Sequence, residues 1–445
     1  MAPKRINVSK LLQRLTRPRY LAIVLLLFFF ISLYLICSSV LINQSPFLVV
    51  TSLAVQASSF IFSFTPIASF KSFLVNETSG ANATLSAFIV PERSLRMADH
   101  YGADWTEKLS SCDLFDGSWV ADDDSPVYKP GSCPYVDKAF DCFKNGRPDS
   151  GFLKHRWKPA KCEIPRFNGT EMLKLLTGKR MVFVGDSLNR NMWESLVCAI
   201  RESMHDKTKM VEVSGSREFK TQSFYSFKFE GCNCSIDFIR SPFLIKELRT
   251  GSRFEGVRLD KMHDKADEYR DADIVVFNSG HWWTHSKTKK GENFFREGDR
   301  IYSSLPVAEA YTRAMRTWGK WVDENMHPHR TRVFFRGYSA SHFKGGQWNS
   351  GGNCHGETKP ISNESHLAPY PSMMMSIAES VFAEMKTPVF YLNITKMTAY
   401  RKDGHPSIFR PPGKAGMPQD CSHWCLPGVP DSWNELLYAA LVASQ

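Results

Sequence analysis

Met181-Val182-Phe183-Val184-Gly185-Asp186-Ser187-Leu188-Asn189-Arg190-Asn191-Met192-Trp193-Glu194-Ser195-Leu196 is the stretch on which the reading of this chain turns. It opens as a short apolar run, Met181–Val184, stops at a glycine, and resumes with Leu188, Met192, Leu196 and Ala199 at helical spacing. A buried strand that turns sharply into a helix is the implied local structure. Gly185 permits the turn. Ser187 then stands at the helix start, with its Oγ exposed and its backbone N–H available to an oxyanion. The same letters also fit a plain helix cap, with Asp186 or Ser187 accepting from the first turn.

Working outward, Ile274–Phe277, Val333–Phe335 and Val389–Leu392 are further buried-strand runs. Between them, Val307, Tyr311, Ala314, Met315, Trp318 and Val322 mark one helix face, and Met373–Met385 reads as another helix. Strands alternating with helices predict a parallel α/β sheet, whose sites lie at the carboxyl ends of the strands. After 274–277 comes Asn278-Ser279-Gly280-His281-Trp282-Trp283. The Asn278 carboxamide is a candidate oxyanion donor, and Trp282 and Trp283 are candidates for stacking on sugar rings or for aromatic core. After 333–335 comes Arg336-Gly337-Tyr338-Ser339-Ala340-Ser341-His342 and a Gly- and Asn-rich stretch to Cys354, a long loop over the same sheet end. Near the C-terminus stands Asp420-Cys421-Ser422-His423-Trp424-Cys425. A nucleophilic Ser187 needs an imidazole to take its proton and a carboxylate to fix the tautomer, and His423 and Asp420 supply both. Cys421, His423 and Cys425 also have a zinc-like look, but flanking cysteines in an oxidising compartment more readily form disulfides, so no metal is assigned.

The compartment is read from the other end. Residues 1–20 hold Lys4, Arg5, Lys10, Arg14, Arg17 and Arg19 and no acid, which is +6 of the net +11. Leu21–Ile42 is an uncharged apolar run of 22 residues, long enough to span a bilayer. Basic residues in front of it and none behind predict a type II signal anchor with the N-terminus cytosolic. A cleaved signal peptide, cut after Val55-Gln56-Ala57, is the competing reading. Ten of the 11 cysteines lie after residue 110, and sequons stand at Asn76, Asn82, Asn168, Asn233, Asn363 and Asn393. Both features fit a lumenal protein. The expected organisation is a cytosolic tail 1–20, an anchor 21–42, a lumenal stem 43–110, a Cys-rich module 111–165 and an α/β catalytic domain 166–445. No linker separates the last two, so disulfides are expected to cross between them. With 43% hydrophobic and 23% charged residues and a mean hydropathy of −0.29, the chain is neither disordered nor polytopic. A residual +5 is too diffuse to argue for nucleic acid.

These blocks resemble a known family. Val184–Asn191 with Trp193-Glu194-Ser195-Leu196 resembles the Gly-Asp-Ser block of the plant trichome birefringence-like proteins, and Asp420–Gly428 their Asp-x-x-His block. Cys112-Asp113-Leu114-Phe115-x-Gly117-x-Trp119-Val120 and Asn145-Gly146-Arg147-Pro148-Asp149 look like their N-terminal cysteine-rich domain, and Phe277–Trp283 matches a further block. The resemblance implies an SGNH/GDSL-like α/β fold, a parallel sheet flanked by helices. It implies a Golgi-membrane O-acetyltransferase, single-pass type II with a lumenal catalytic domain, acting on a plant cell-wall polysaccharide. Carried over by position, Ser187 is the nucleophile, His423 the base and Asp420 the orienting carboxylate. Arg190 falls on the block's Arg, a candidate for binding donor or acceptor, and Gly185 and Asp186 belong to the oxyanion or substrate set with Asn278. No cofactor is bound on this reading. The acetyl donor is a co-substrate, acetyl-CoA or another acetyl carrier, or comes from a lumenal supplier.

Three functions compete: an acetyltransferase, a polysaccharide acetylesterase with the same triad, and a non-catalytic pectin-binding or bridging wall protein. The intact Ser, His and Asp speak against the third. The Asp420–Gly428 segment and the stretch from Val333 to Cys354 resemble the founding trichome birefringence subgroup, part of which is associated with pectin, and that resemblance implies a pectic acceptor first and xylan second. The mild positive charge, with Lys287, Lys289 and Lys290 clustered, suits a polyuronate, although such a run is usually a solvated face.

Overall fold

The computed structural model describes residues 108–215, 224–367, 372–411 and 418–444. The anchor and stem expected over 21–110 lie almost wholly outside these residues. Among the described residues, no helix is long and apolar enough to cross a membrane.

The described chain runs β1 (Gly117–Ala121), β2 (His155–Pro159), α1 (Gly169–Leu175), β3 (Arg180–Gly185), α2 (Ser187–Ser203), β4 (Met210–Glu212), β5 (Phe224–Phe229), β6 (Cys234–Arg240), β7 (Ile245–Thr250) and β8 (Arg253–Met262). It continues with β9 (Ile274–Phe277), β10 (Phe295–Glu297), β11 (Arg300–Ile301), α3 (Val307–Asn325), β12 (Arg332–Arg336), α4 (Ser372–Glu384), β13 (Val389–Leu392), α5 (Thr395–Ala399) and α6 (Val429–Ala443).

Seven strands form the central sheet in the order β13-β12-β9-β3-β6-β5-β4. The first five run parallel; β5 and β4 extend the edge antiparallel. The parallel sheet expected from the sequence is present in the strands it named, β3, β9, β12 and β13, and the antiparallel edge makes the whole sheet mixed. The cause is local: β5 and β6 are joined by the tight turn at Glu230–Asn233, which allows only an antiparallel pair. Side chains alternate across the sheet as a strand's period of two requires. Met181 and Phe183 face one core with α2 and α6, while Val182 and Val184 face another with α3 and α4. Burial on both faces is why these strands read as unbroken apolar runs. A smaller sheet, β11-β10-β8-β7, covers the second face, and β1-β2 form a hairpin-like pair in the N-terminal region.

Five disulfides join Cys112–Cys162, Cys133–Cys198, Cys142–Cys425, Cys232–Cys234 and Cys354–Cys421. Two of them, Cys133–Cys198 and Cys142–Cys425, tie the Cys-rich stretch to the α/β part, as the missing linker predicted. A cross-link stabilises chiefly by restricting the unfolded chain, and more so for a long loop. Cys142–Cys425 encloses a separation of 283 residues. Replacing both cysteines with serine is expected to lower stability by about 2–5 kcal/mol, read as a fall in Tm. An unchanged Tm would show that the docking of the N-terminal region does not depend on this bond.

Candidate active site

Because β6, β3, β9, β12 and β13 are parallel, their carboxyl ends share one edge, and the loops that leave them meet there. At β3 the chain turns into α2. Asp186 is the N-cap and accepts from Leu188 N at 2.9 Å, which confirms half of the capping alternative. Ser187 does not cap. Its Oγ lies 2.7 Å from His423 Nε2. Asp420 completes the line, with Oδ2 2.8 Å and Oδ1 3.1 Å from His423 Nδ1. Asp420 Oδ1 also accepts from the His423 backbone N–H at 3.0 Å, so one carboxylate fixes both ring and backbone of the histidine. Burial favours the neutral acid, but the charge and hydrogen bonds of His423 outweigh it and hold Asp420 well below the usual carboxylate range. With Asp420 ionised at Nδ1, Nε2 faces the hydroxyl as a proton acceptor.

The segment 420–425 is held on every side. Asn191 of α2 exchanges two hydrogen bonds with the Trp424 backbone, at 2.9 and 3.1 Å. Ser407 and Asp420 pair backbone to backbone. Cys421 and Cys425 are each in a disulfide, so neither sulfur is open to a metal and the zinc-like reading falls. From the N-terminal region, Phe140 places its ring 5.2 Å from that of His423, and its carbonyl accepts from Leu426 N at 2.9 Å.

Around the Gly-Asp-Ser turn a buried polar lattice fixes the backbone. Asn278 Oδ1 accepts from Asp186 N at 2.9 Å, and Asn278 Nδ2 donates to Asp186 Oδ1 at 2.7 Å. A Cβ on residue 185 would overlap the Asn278 carboxamide, which explains Gly185. Asp186 is fully buried. Burial raises it, yet the close approach of His281, the charge of Arg336 and the hydrogen bond from Asn278 bring it far below the ordinary value. His281 Nδ1 stands 3.5 Å from Asp186 Oδ2, and the buried Arg336 guanidinium 3.8 Å from Oδ1.

The remaining candidates divide. Asn278 is buried, and its amide serves Asp186; the expected oxyanion donor braces the Gly-Asp-Ser turn. Arg190 does not face a cleft. It is buried, donating to Asp137 Oδ2 at 2.8 Å and Glu194 Oε1 at 2.6 Å, beneath the Phe140 ring. Burial, with Asp137 nearby, pushes Glu194 up to about 8 against the pull of Arg190. Trp283 is core, packed on Phe243, Phe295 and Tyr311, with Nε1 donating to Ser279 Oγ. Trp282 is half-buried at the surface. Lys287 Nζ sits 4.7 Å from its ring and 4.3 Å from that of the exposed Trp348. The Ser187 N–H stands at the positive end of the 17-residue α2, a geometry that suits an anionic oxygen. Sequence reasoning missed Phe140, Arg147 and His405. Phe140 lies against His423 and Arg147 donates to His405 O, each more than two hundred residues on, while the His405 ring meets His342 and the His423 carbonyl at separations of 63 and 18; a linear pattern carries no sign of such contacts.

A Ser–His–Asp line at the carboxyl edge of a mixed α/β sheet defines an esterase-like acyl-transfer centre. Comparison with known families agrees. Residues 164–440 match the GDSL/SGNH-like acyl-esterase family found in Pmr5 and Cas1p, and residues 110–163 match the PMR5 N-terminal domain. The chain is 53% identical over 420 residues to protein trichome birefringence-like 4 of Arabidopsis thaliana, covering 92% of this chain and 90% of that one. It is 54% identical over 349 residues to protein trichome birefringence of the same plant, covering 76% of this chain and 57% of that relative. The chain belongs to the trichome birefringence-like family.

The burial of Arg190 gives a discriminating test. Arg190→Met strands two buried carboxyl groups and is expected to destabilise by about 3–5 kcal/mol, seen as a lower Tm. KM for any acceptor should be unchanged below the transition. A raised KM with an unaltered Tm would return Arg190 to substrate binding.

Proposed function

We propose that the protein is an O-acetyltransferase that carries an acetyl group on Ser187 to a hydroxyl of a plant cell-wall polysaccharide. The observation that supports this most is the hydrogen-bonded line from Ser187 Oγ through His423 to Asp420 in a chain of this family. Ser187 Oγ attacks the acetyl carbonyl while His423 Nε2 takes its proton. The tetrahedral oxyanion is met by the N-terminus of α2. The donor's leaving group departs with the proton from His423, which leaves acetyl-Ser187. His423 then takes the proton of a sugar hydroxyl as that oxygen attacks the acetyl carbonyl, and returns it to Ser187 Oγ as the serine ester bond breaks, which frees the acetylated sugar and restores the serine. Asp420, ionised throughout, stabilises the imidazolium between steps.

An acidic acceptor is favoured, pectic before xylan. Lys287 is half-buried between two tryptophan rings, burial lowers its pKa, and among the described residues it has no carboxylate partner. A uronate carboxylate would offset that desolvation, and the Trp282 and Trp348 faces suit sugar rings. The donor is acetyl-CoA or another acetyl carrier. The working organisation keeps a cytosolic tail 1–20, an anchor 21–42, a stem 43–110 and a lumenal catalytic region in the Golgi membrane.

The test is acetyl transfer from a donor to a panel of defined, de-acetylated oligosaccharides. Ser187→Ala is expected to abolish transfer, and Asp420→Asn to lower kcat by roughly 10³–10⁴-fold. Lys287→Ala should raise KM for oligogalacturonides several-fold while leaving kcat unchanged. Transfer that survives Ser187→Ala would refute the covalent route. Acetate release with no sugar ester formed would make the protein an esterase.

A further inference from the structure

Behind the catalytic segment lie two imidazoles that the chemistry above leaves without a role. His342, from the loop after β12, places Nδ1 2.7 Å from Nε2 of the buried His405. The outer nitrogens are engaged as well. His405 Nδ1 is 2.6 Å from the backbone oxygen of His423, and His342 Nε2 is 2.8 Å from that of Ala399. A carbonyl oxygen only accepts, so each outer nitrogen must carry a hydrogen. The inner contact needs one more, because two ring lone pairs cannot face each other at that distance. Three hydrogens on four ring nitrogens make a pair with one extra proton and one shared positive charge. A neutral pair has two hydrogens for three contacts, and one contact must fail.

The surroundings connect this pair to the catalytic base. The His342 backbone N–H donates to Cys421 O at 2.9 Å, and Cys425 N donates to Gly404 O at 3.0 Å. The His405 ring stacks on Trp424 at 4.1 Å and 26°, which lays an aromatic face against the shared charge. Cys421 and Cys425, which flank His423, are thus held by His342 and by Gly404 beside His405, with the His423 carbonyl as the third handle.

We propose that His342 and His405 are positioning residues that share one proton and, by holding the His423 carbonyl, keep the His423 ring aimed at Ser187. This rests on the acyl-serine reading. Neither ring touches the reacting atoms.

The pair is a site of pH dependence. Burial pushes His405 well below the ordinary imidazole value, with His342 and His423 adding to this and Asp420 and the His423 carbonyl opposing it. Burial lowers His342 too; Asp403 and the Ala399 carbonyl oppose, and Lys402 adds. From the N-terminal region Arg147 faces the pair, donating through Nη1 to His405 O. Both shifts are downward, so the shared proton is held on the acid side of about 6.5 and is lost as pH rises. The grip on His423 is therefore complete in mild acid and loosens toward alkaline pH.

Hydrolysis of an activated acetate ester by the full-length protein reads the serine–histidine chemistry without any acceptor. His405→Phe keeps the stack on Trp424 but removes the donor; His405→Asn restores an N–H where Nδ1–H stood and cannot titrate. His405→Phe is expected to lower kcat by about ten- to a hundredfold with KM unchanged. His405→Asn should recover most of that loss and lack the wild-type fall in kcat on the alkaline side. Wild-type kcat and pH profile in His405→Phe would overturn the proposal, as would His405→Asn being no better than His405→Phe. If His405→Phe does not fold, His342→Gln decides: its amide still reaches Ala399, and the alkaline step must disappear. A step that persists is contradiction. Ser187→Ala separates the two readings, since ester hydrolysis that survives it refutes the acyl-serine itself, whatever the histidine variants do.

Discussion

The hydrogen bond between Ser187 Oγ and His423 Nε2 joins residues 236 positions apart, and most of the fold can be read as the means of making it. A serine on a strand-to-helix turn is placed by its own neighbours in sequence. An imidazole on an irregular segment is not. The 420–425 segment forms no strand or helix of its own, so its backbone must find partners elsewhere or remain mobile. It finds them in Asn191, Ser407, Gly404, His342 and Phe140 and in two disulfides.

That constraint gives the Cys-rich N-terminal region a purpose beyond attachment. Arg190 and Glu194 on α2 bind the segment around Asp137, which presents Phe140 to the His423 ring and Cys142 to Cys425. Arg147 reaches past them, donating to the carbonyls of Asp403 and His405. The region braces the half of the active site that the sheet does not hold. Buried ion pairs contribute little net stability but cost several kcal/mol when broken. The Arg190 cluster is therefore best regarded as a device for register: it docks the N-terminal region in one position on the helix that begins at Ser187.

Much of this was legible in the sequence. Four strands of the sheet and three helices announced themselves because elements buried on both faces or along one stripe leave an apolar pattern. Ser187, Asp420 and His423 were legible because their chemistry needs those residue types at a turn and in one tight segment. What escaped was of two kinds. In the antiparallel edge, β4 has only three residues, and in β5 Ser226 and Lys228 interrupt the apolar run, Ser226 hydrogen-bonding Asp237 of β6. And residues whose role is set by a distant partner gave misleading signs. Arg190 was placed among donor or acceptor contacts by its position in the family block, and its partner Asp137, 53 residues away, left no sign in the sequence to correct that; Trp283 resembled a sugar platform because its core neighbours come from β10 and α3. Asn278 was named as an oxyanion candidate, but its carboxamide turns inward to Asp186 of the Gly-Asp-Ser turn.

The central claim is that this geometry makes Ser187 a carrier of acetyl. Intact-protein and peptide mass spectrometry after brief incubation with acetyl donor alone addresses it without knowledge of the natural acceptor. The account predicts one added acetyl group, located on the peptide containing Ser187, absent from Ser187→Ala and discharged when oligosaccharide is supplied. A protein that transfers acetyl to sugar while Ser187 remains unmodified at every time sampled, or an adduct that persists after acceptor is added, would contradict it.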